Sequence, residues 1–449
     1  MAGLGGGLWR FPLVDSGAGA AGKLLPSSPI SGQGVACRSD LTYCVCRDKI
    51  VKQTKKSDIR VPAPRTLSLQ TGLYVTTQRG TKVALRQMRL QHLHLPHRAP
   101  SLYPPYSLAS RIQEHLRRRQ LDFKDATSTS TSPSSAAAFA RDGEPAAGPP
   151  TLPPPGVTAT QRQQQQQRQS PPPTLLSFTP MPTYTLGRRQ TAPLTAHEAA
   201  RLKAPLRVGG VVLPTATTPS PVPPSPSARL PVSVVHSPRG GQTTYHGPGQ
   251  TVLWPVLDLK SPHHKQFTVR CYSWLLEDTT IAVLRSLFGL SALATEDPGV
   301  WVSPASASSN SRLKDLAKIA ALGVHLRRHV TALGTAVNIA MPSADVFSED
   351  MNPWARIVAC GLEGKIVTSV AAEMVGGLLS LDERLGSSCP REEGFAISWA
   401  SELAKRIGVD GVDAATQEDV LSLVTDILSR SNDATPEEAE YVTRLQALL

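Results

Sequence analysis

Two residues of this chain are of the types that acyl transfer needs. Cys360 stands between Ala359 and Gly361, and a thiolate is a strong nucleophile toward thioesters. Lys318 opens an apolar stretch of mostly small residues, where burial would lower its pKa and let it act as a base near neutral pH. Because a nearby ammonium also lowers the pKa of a thiol, the two residue types suit a nucleophile and its acid/base partner.

A third segment, residues 239–250, reads RGGQTTYHGPGQ. Its adjacent glycines, Gly240 and Gly241, allow the backbone to pass close to a ligand or to adopt positive φ. Between this pair and a second turn at 247–249 stand hydroxyls, one tyrosine and His246. Such a segment could position an acyl chain and its carbonyl.

Each feature alone also has an ordinary structural interpretation. A glycine-rich stretch can be a plain turn, a lysine at a strand end commonly points to solvent, and most buried cysteines are inert. Cys271 lies in a helical pattern and Cys389 in a Ser-Ser-Cys-Pro loop, so we assign both a structural role. Only the combination of the three segments favours a catalytic interpretation over a structural one.

Composition limits how much of the 449-residue chain can fold. It has 40 prolines, 33 glycines and only 5% aromatic residues, so we expect one globular domain of roughly 230–260 residues. The net charge of +12 would suit acidic protein partners or an organelle. No recognisable nucleic-acid module interleaves its arginines with aromatics, so nucleic-acid binding is not favoured.

Six cysteines are too few for a disulfide framework in a chain of this length. Cys44 and Cys46 lack zinc-ligand spacing and nearby histidines, so no metal site is predicted. No apolar run approaches the roughly 20 residues that span a bilayer. The start of the chain holds Arg10 before its first acidic residue, Asp15, a weak likeness to a mitochondrial transit segment.

Hydrophobic periodicity predicts strands at 88–95, 174–179, 232–235, 250–259, 319–326 and 330–339, the last pair joined near Arg328. Pro255 predicts an edge or a bulge in its strand. Helices are predicted from an N-cap at Ser107, and at 196–201, 269–287, 368–379, 396–407, 420–427 and 439–449. Strands and helices mix without clean alternation, which indicates an α+β or mixed α/β fold.

Three parts follow from this pattern. Residues 1–85 are predicted to be a disordered leader and possible transit segment. Residues 88–430 form the catalytic domain, interrupted at 126–173 by low-complexity sequence rich in Ser, Thr, Pro and Gln. Residues 431–449 form a C-terminal helix.

Taken together, the segments resemble the lipoyl(octanoyl) transferase family, whose pattern looks like R-G-G-x-x-T-x-H-G-P-G-Q, then K-I-A-x-x-G, then C-G followed by V-T-S. Residues 239–250, 318–323 and 360–369 match these in order. Residues 182–189 and 298–302 resemble two further family segments. Ala359 departs from the proline that usually precedes the nucleophile in bacterial members.

The resemblance implies a fold like the biotin/lipoate ligase catalytic domain, a mixed sheet flanked by helices. It implies Cys360 as acyl-thioester nucleophile and Lys318 as acid/base, with backbone N–H groups near Leu322 and Gly323 holding the oxyanion. His246 orients the thioester or the lysine, or makes a structural hydrogen bond. The implied substrate-binding set is Arg239, Gly240, Gly241, Gln242, Thr243, Thr244, Tyr245, His246, Ala321, Leu322, Gly323, Gly334, Thr335 and Ala336.

The implied reaction moves octanoyl from an acyl carrier protein to a lysine of a lipoyl domain, as in 2-oxoacid dehydrogenases and the glycine cleavage H protein. No metal, nucleotide, nucleic acid or membrane is implied, and a mitochondrial location is expected. A basic surface would speed encounter with these acidic partners, an attraction that salt should weaken. Three rivals remain: an ATP-dependent lipoate or biotin ligase, a lipoyl amidotransferase, and a catalytically silent binding protein on this fold.

Overall fold

The computed structural model describes residues 88–129, 170–208, 228–304, 316–342, 348–358, 366–374 and 390–449, with 381, 384–385 and short strands at 74–76 and 82–84. Most of the predicted leader and of the insertion lie outside these residues. The described strands are β1 (Tyr74–Thr76), β2 (Lys82–Ala84), β3 (Leu90–Leu95), β4 (Thr174–Phe178), β5 (Thr183–Leu186), β6 (Leu206–Val208), β7 (Ala228–Leu230), β8 (Ser233–His236), β9 (Thr244–His246), β10 (Gln250–Val256), β11 (Ala292–Ala294), β12 (Val300–Val302), β13 (Ala317–Arg327), β14 (Val330–Asn338), β15 (Ile366–Val367) and β16 (Val412–Ala414).

Seven α-helices fall within the described ranges. They are α1 (Tyr106–Thr129), α2 (Ala196–Lys203), α3 (Val269–Phe288), α4 (Val370–Glu373), α5 (Arg391–Ile407), α6 (Gln417–Ser429) and α7 (Pro436–Gln446). The antiparallel pair β1 and β2 lies within residues 1–85. Residues 1–85, which the sequence analysis predicts to be a disordered leader, therefore contain one short pair of strands.

Nine strands form the central sheet in the order β11-β12-β13-β14-β10-β4-β3-β16, with β15 paired separately to β13. Strand β3 runs parallel to both of its neighbours, β4 and β16, and β15 runs parallel to β13. The other pairs of this sheet are antiparallel. This mixed sheet with flanking helices confirms the predicted fold class.

The two faces of the sheet build separate cores because successive side chains of a strand point to opposite faces. Leu175 and Leu253 join a core with helices α3 and α5. Their neighbours Leu176 and Trp254 join a second core with α1, α6 and α7. The helix predicted at 439–449 thus packs on the domain rather than standing apart from it.

A smaller sheet, in the order β8-β5-β9, encloses a third core with α2. Tyr184 of β5 and Tyr245 of β9 pack there against Trp354, with ring centroids 5.2 Å apart between the tyrosines and 5.8 Å apart between Tyr245 and Trp354. This sheet carries the 182–189 and 239–250 segments side by side.

Helix α1 differs from its prediction at both ends. It begins at Tyr106, so Ser107 lies in its first turn instead of capping it. It runs on to Thr129, four residues into the predicted low-complexity insertion. The last turns are held by an ion pair of 2.7 Å between Lys124 and Asp258, which periodicity along the helix could not reveal. Leu108, Ile112 and Leu116, spaced four residues apart along the helix, are buried.

Pro255 lies in β10, which is a central strand and not an edge. The irregularity sits in the neighbouring strand β14, where Leu333 has a φ of +61°. The ladder to β14 ends at Leu253, and the Thr331 hydroxyl takes over by donating to the Pro255 carbonyl at 2.8 Å. The pairing resumes in the same register at the bridge between Asp258 and Val330, so the proline is accommodated by a side-chain hydrogen bond to its carbonyl and not by a bulge or an edge position.

Strands β13 and β14 form the predicted hairpin, joined by Arg328 and His329. Both residues have positive φ, 51° and 68°, which is the pattern of a two-residue type I′ turn. The helix predicted at 368–379 is described only as α4, Val370–Glu373, while 375–380 lie outside the described residues.

Candidate active site

The glycine-rich segment runs from the end of β8, through a loop, into β9 and β10. Gly241 adopts a φ of +82°, a conformation that glycine reaches without a steric penalty. The loop passes so close to Gly187 that a Cβ there would lie 2.3 Å from the Gly241 carbonyl oxygen. The Arg188 N–H donates to the Arg239 carbonyl at 3.0 Å. Two segments of the family resemblance therefore meet backbone to backbone.

Arg239 fixes this loop to the rest of the fold. Its buried guanidinium donates to the Thr185 carbonyl at 2.6 Å and to the Thr185 hydroxyl at 2.8 Å. Its aliphatic part lies on β13, where a Cβ at Gly323 would come within 2.9 Å of the Arg239 Cδ. Arg239 and Gly323 were both predicted for the site, and the structure brings them into contact.

The second turn of the segment docks on the end of β14. Gly249 has a φ of +85°, and a Cβ there would lie 2.6 Å from the Ala340 carbonyl oxygen. The N–H groups of Ile339 and Ala340 both donate to the Gly249 carbonyl at 2.9 Å. This close approach places Gln250 beside the last residue of β14.

A buried hydrogen-bond chain starts at His246. Its Nδ1 lies 2.8 Å from Gln250 Oε1, and Gln250 Nε2 donates to Asn338 Oδ1 at 2.9 Å. Asn338 Nδ2 then donates to the Thr368 carbonyl at 2.9 Å. Since the Gln250 oxygen can only accept, His246 carries its proton on Nδ1 and presents Nε2 as an acceptor. The chain links the glycine-rich segment to the V-T-S segment.

His246 is neutral at physiological pH. Burial, followed by the charge of Arg239, lowers the pKa of its imidazole to about 4. Its ring also stacks on Tyr106 of α1, with centroids 5.5 Å apart. A neutral imidazole held on both sides can orient a polar group without carrying charge.

Lys318 does not point to solvent, so the ordinary interpretation of a strand-end lysine is wrong here. The residue is 7% exposed, and its Nζ donates to the Pro298 carbonyl at 3.1 Å. The same ammonium lies 4.6 Å from the centre of the Trp301 ring. Gly299 opposite has a φ of +128° and leaves room for the lysine, since a Cβ there would lie 3.3 Å from Lys318 Cε.

The V-T-S segment lies directly beside this lysine. Strand β15 pairs in parallel with β13, with Val367 opposite Lys318. The Thr368 N–H donates to the Lys318 carbonyl at 3.0 Å, and Ser369 caps helix α4. Cys360 lies outside the described residues, as does Gly361. The described structure thus contains the proposed acid/base and the strand that follows the proposed nucleophile in sequence.

Residues 157–378, which contain all three motif segments, match the family model described as the lipoyl protein ligase A/B catalytic domain. This part of the chain is similar to the members of that family. An octanoyltransferase from mitochondria of Saccharomyces cerevisiae is 27% identical over 255 residues, covering 55% of this chain and 63% of the relative. An octanoyltransferase of Rickettsia africae is 39% identical over 141 residues, covering 31% and 59%.

The predicted resemblance to octanoyltransferases is thereby confirmed. The chain spans about three-fifths of the length of the curated relatives that it matches. Among solved structures, a bi-partite lipoate protein ligase of the archaeon Thermoplasma acidophilum is 12% identical, with a TM-score of 0.38 over 77% of this chain and 93% of that one.

The other predicted site residues of the glycine-rich segment, residues 239–250, occupy different environments. Gly240 and Gln242 are exposed, and no atom lies within 4 Å of a Cβ built at Gly240. The Thr243 hydroxyl faces the Gln190 side-chain oxygen at 3.4 Å. Thr244 and Tyr245 are buried in β9, and the Tyr245 ring belongs to the third core. Tyr245 therefore stabilises the loop through its packing in the third core.

The predicted residues of β13 and β14 face each other across the hairpin. Ala321 is opposite Ala336, Leu322 is opposite Thr335, and Gly323 is opposite Gly334. Strand β12 pairs with β13 only as far as Ala320. Past that point, one edge of β13 has no strand partner among the described residues, so the alternate N–H groups that face this edge can bind a ligand.

Two of these residues have a packing role as well. A Cβ at Gly334 would lie 2.2 Å from the Leu253 carbonyl oxygen, so this glycine lets β14 approach β10. Ala336 lies in the core on the α1 face. The Thr335 hydroxyl donates to the Ala321 carbonyl at 3.0 Å, which ties the two strands together.

Gln250 and Asn338 are site residues that the sequence interpretation missed. Gln250 was read as the end of a motif, and Asn338 only fell within the strand predicted at 330–339. A fully buried amide in such a strand needs hydrogen-bond partners, and that requirement was the available signal. Trp301 and Glu277 were missed too; a Glu277 oxygen accepts the Gly299 N–H at 3.1 Å and so holds the Lys318 neighbourhood.

A cavity of about 610 Å³ borders the site through Pro298 and Leu322. The other residues that line the cavity are mostly polar, with one tryptophan and one alanine. They are Arg270, Ser273, Trp274, Glu277, Ala294, Thr295 and Glu296. Within the described ranges, no three His, Cys, Asp or Glu residues are placed to hold a metal ion. None of the helices described there is long and apolar enough to cross a membrane.

Proposed function

We propose that this chain transfers octanoyl from octanoyl-acyl carrier protein to a lysine of a lipoyl domain, through an acyl thioester on Cys360. The observation that carries the proposal is the buried ammonium of Lys318 beside the strand that follows the Cys360 segment. Its support in sequence is the joint match of three motifs to a family whose relatives are named octanoyltransferases.

In the first half-reaction, the Cys360 sulfur attacks the thioester carbonyl of the donor. Lys318, acting as the neutral amine, takes the thiol proton and returns it to the departing phosphopantetheine sulfur, so a new C–S bond replaces the old one. N–H groups of β13 near Leu322 and Gly323 hold the oxyanion that forms in between. His246 Nε2 is an acceptor for a polar group of the acyl donor.

In the second half-reaction, the amine of the acceptor lysine attacks the acyl-Cys360 carbonyl. Lys318 accepts a proton from that amine and passes it to the sulfur as the C–S bond breaks. An amide forms and the thiol of Cys360 is restored.

The chemistry requires no metal or nucleotide, since thioester exchange and aminolysis need only a nucleophile and proton transfers. The proposed acceptors are lipoyl domains of 2-oxoacid dehydrogenases and of the glycine cleavage H protein. The proposed location is the mitochondrion, which is where the yeast relative is named as residing.

ATP-dependent ligation is the second candidate, because the matched family takes in ligase A as well as ligase B. Such an enzyme forms an acyl-adenylate and has no need of a cysteine nucleophile. A lipoyl amidotransferase would use the same cysteine with a lipoylated protein as donor. The choice of donor therefore separates the three reactions.

The test is intact-mass measurement of the purified full chain incubated with octanoyl-acyl carrier protein, without ATP. We expect a gain of one octanoyl group, absent in Cys360→Ala and discharged on adding an apo lipoyl domain. Cys271→Ala is the matched control, because Cys271 is a second cysteine of the chain and is buried in α3. Acylation that persists in Cys360→Ala, or transfer only with free octanoate and ATP, would sink the proposal.

A further inference from the structure

Basic side chains from three elements converge beside the candidate site. Arg117 of α1 and Arg188, which follows β5, both lie close enough for their charges to act on His325 of β13. Arg188 and the adjacent Arg189 are exposed. Neither of these two forms an ion pair with a side chain among the described residues. We call Arg117, Arg188, Arg189 and His325, with Arg328 at the hairpin tip, the basic rim.

The basic rim borders the site directly. The Arg188 N–H donates to the Arg239 carbonyl, and Arg239 packs on Gly323, two residues before His325 in β13. Two residues of a strand span roughly 7 Å. The rim therefore begins at the glycine-rich loop and continues along β13 toward the hairpin tip.

Within the described ranges, acidic groups balance part of this surface, but not Arg188 and Arg189. Glu114 forms an ion pair with Arg117, and Asp125 forms one with Arg328. Partial burial, followed by the charges of Arg117 and Arg188, lowers the pKa of His325 below its ordinary value. Collecting like charges on one surface costs free energy in the isolated protein, and an anionic partner would offset that cost.

We propose that the basic rim docks the acidic carrier domain that delivers the acyl thioester. This inference rests on the proposed function and names the surface that serves it. A protein partner fits better than a small anion because Arg188 and Arg189 are exposed and the rim continues from them along β13 to the hairpin tip. Docking there places the thioester arm at the glycine-rich loop, next to Gly323.

The test compares Arg188→Glu/Arg189→Glu with a charge-matched control, Arg285→Glu/Lys405→Glu, whose residues lie on helices of the opposite face. The acylation half-reaction is measured with octanoyl-acyl carrier protein and with octanoyl-pantetheine, a small neutral thioester. We expect the rim variant to lose about ten-fold or more in kcat/KM with the protein donor at low salt. Its rate with octanoyl-pantetheine and both rates of the control should stay unchanged.

Binding of holo-acyl carrier protein, titrated at low and at physiological salt, separates the two proposals. Weaker binding by the rim variant, with a smaller salt dependence, supports the docking surface even if no acylation occurs, in which case only the proposed function fails. Equal loss with octanoyl-pantetheine, equal loss in the control, or an effect confined to the lipoyl-domain half-reaction would overturn the docking proposal.

Discussion

Two hydrogen-bond networks that contain buried histidines reach the central sheet, and only one of them ends at residues that could do chemistry. The site network is the chain His246, Gln250, Asn338 and Thr368, in which each hydrogen bond is 2.8–2.9 Å long. Its last member hydrogen-bonds to the backbone of Lys318. The site network thus connects the glycine-rich loop with the proposed acid/base.

The helix network joins β3 and β4 to the start of α5. His92 Nε2 and His94 Nδ1 each lie 2.8 Å from the Ser177 hydroxyl. His97 Nε2 lies 3.5 Å from a carboxylate oxygen of Glu392, in the first turn of α5. Anionic side chains stabilise a helix N-terminus, so this network fastens a helix to the sheet.

Burial alone does not distinguish the two networks. Desolvation lowers the pKa of both His246 and His92 to about 4. A perturbed pKa marks a candidate for function, but structural groups show it as well. What differs is the far end of each network, a buried ammonium in one and a helix terminus in the other. The comparison predicts that damage to the site network removes activity, whereas damage to the helix network removes stability.

The largest effect is expected from Lys318→Met. Removing the ammonium leaves the acyl transfer without its proton carrier, so octanoyl transfer should fall by about 10²–10⁴-fold. Replacing a buried charge with an apolar chain of similar length should leave the melting temperature close to that of the wild type. Steady-state transfer and thermal unfolding are measured on the same samples. Lys124→Met, a lysine paired with Asp258 away from the site, is the control and should keep full activity.

Asn338→Ala and Ser177→Ala compare the site network with the helix network. Each truncation leaves buried polar partners unpaired, so each should lower the free energy of unfolding by about 1–3 kcal/mol. Only Asn338→Ala should also lower kcat, by about 10²-fold, because it releases the strand beside Lys318 from the glycine-rich loop. Urea unfolding and single-turnover acylation at a temperature where both variants are folded make the comparison. Equal kcat values in the two variants would refute the assignment.

Acidification should weaken the fold through both networks. An unfolded histidine titrates near pH 6.5, whereas folded His92 and His246 titrate near pH 4. The unfolded chain therefore binds more protons between these values, and the free energy of unfolding falls as the pH drops from 6.5 to 4. Each histidine accounts for on the order of 3 kcal/mol over that window. Above pH 6.5 neither lowers stability.

Glutamine substitutions separate the two contributions. His92→Gln and His246→Gln should each flatten the pH dependence of urea unfolding by one histidine's share. At pH 7, His92→Gln should retain transfer activity and His246→Gln should lose it. If His246→Gln retained full activity, the hydrogen bond to Gln250 would be purely structural.

The sequence anticipated the features that local patterns encode. The 3.6-residue stripe of α3 and the hairpin of β13 and β14 are periodic, and the Arg239 and Lys318 segments are short motifs. The missed features depend on contacts between distant parts of the chain. Strand β16 pairs Val412 with Leu90, and the site network joins Gln250 to Asn338. A buried amide signals that it needs a hydrogen-bond partner, but the residues around each position do not identify which distant residue the partner is.

The smallest effect is expected at the hairpin turn, outside both networks. His329 is an exposed non-glycine residue at a φ of +68°, a region that costs roughly 1–2 kcal/mol for a residue with a Cβ. His329→Gly should therefore raise the free energy of unfolding by about 1 kcal/mol while leaving octanoyl transfer unchanged. Chemical denaturation measures the first and steady-state assay the second. Arg327→Gly, at the neighbouring strand end, is the control and should destabilise. A change in transfer rate on His329→Gly would mean that the hairpin tip also influences the site, and that activity and stability are less separable than the two networks indicate.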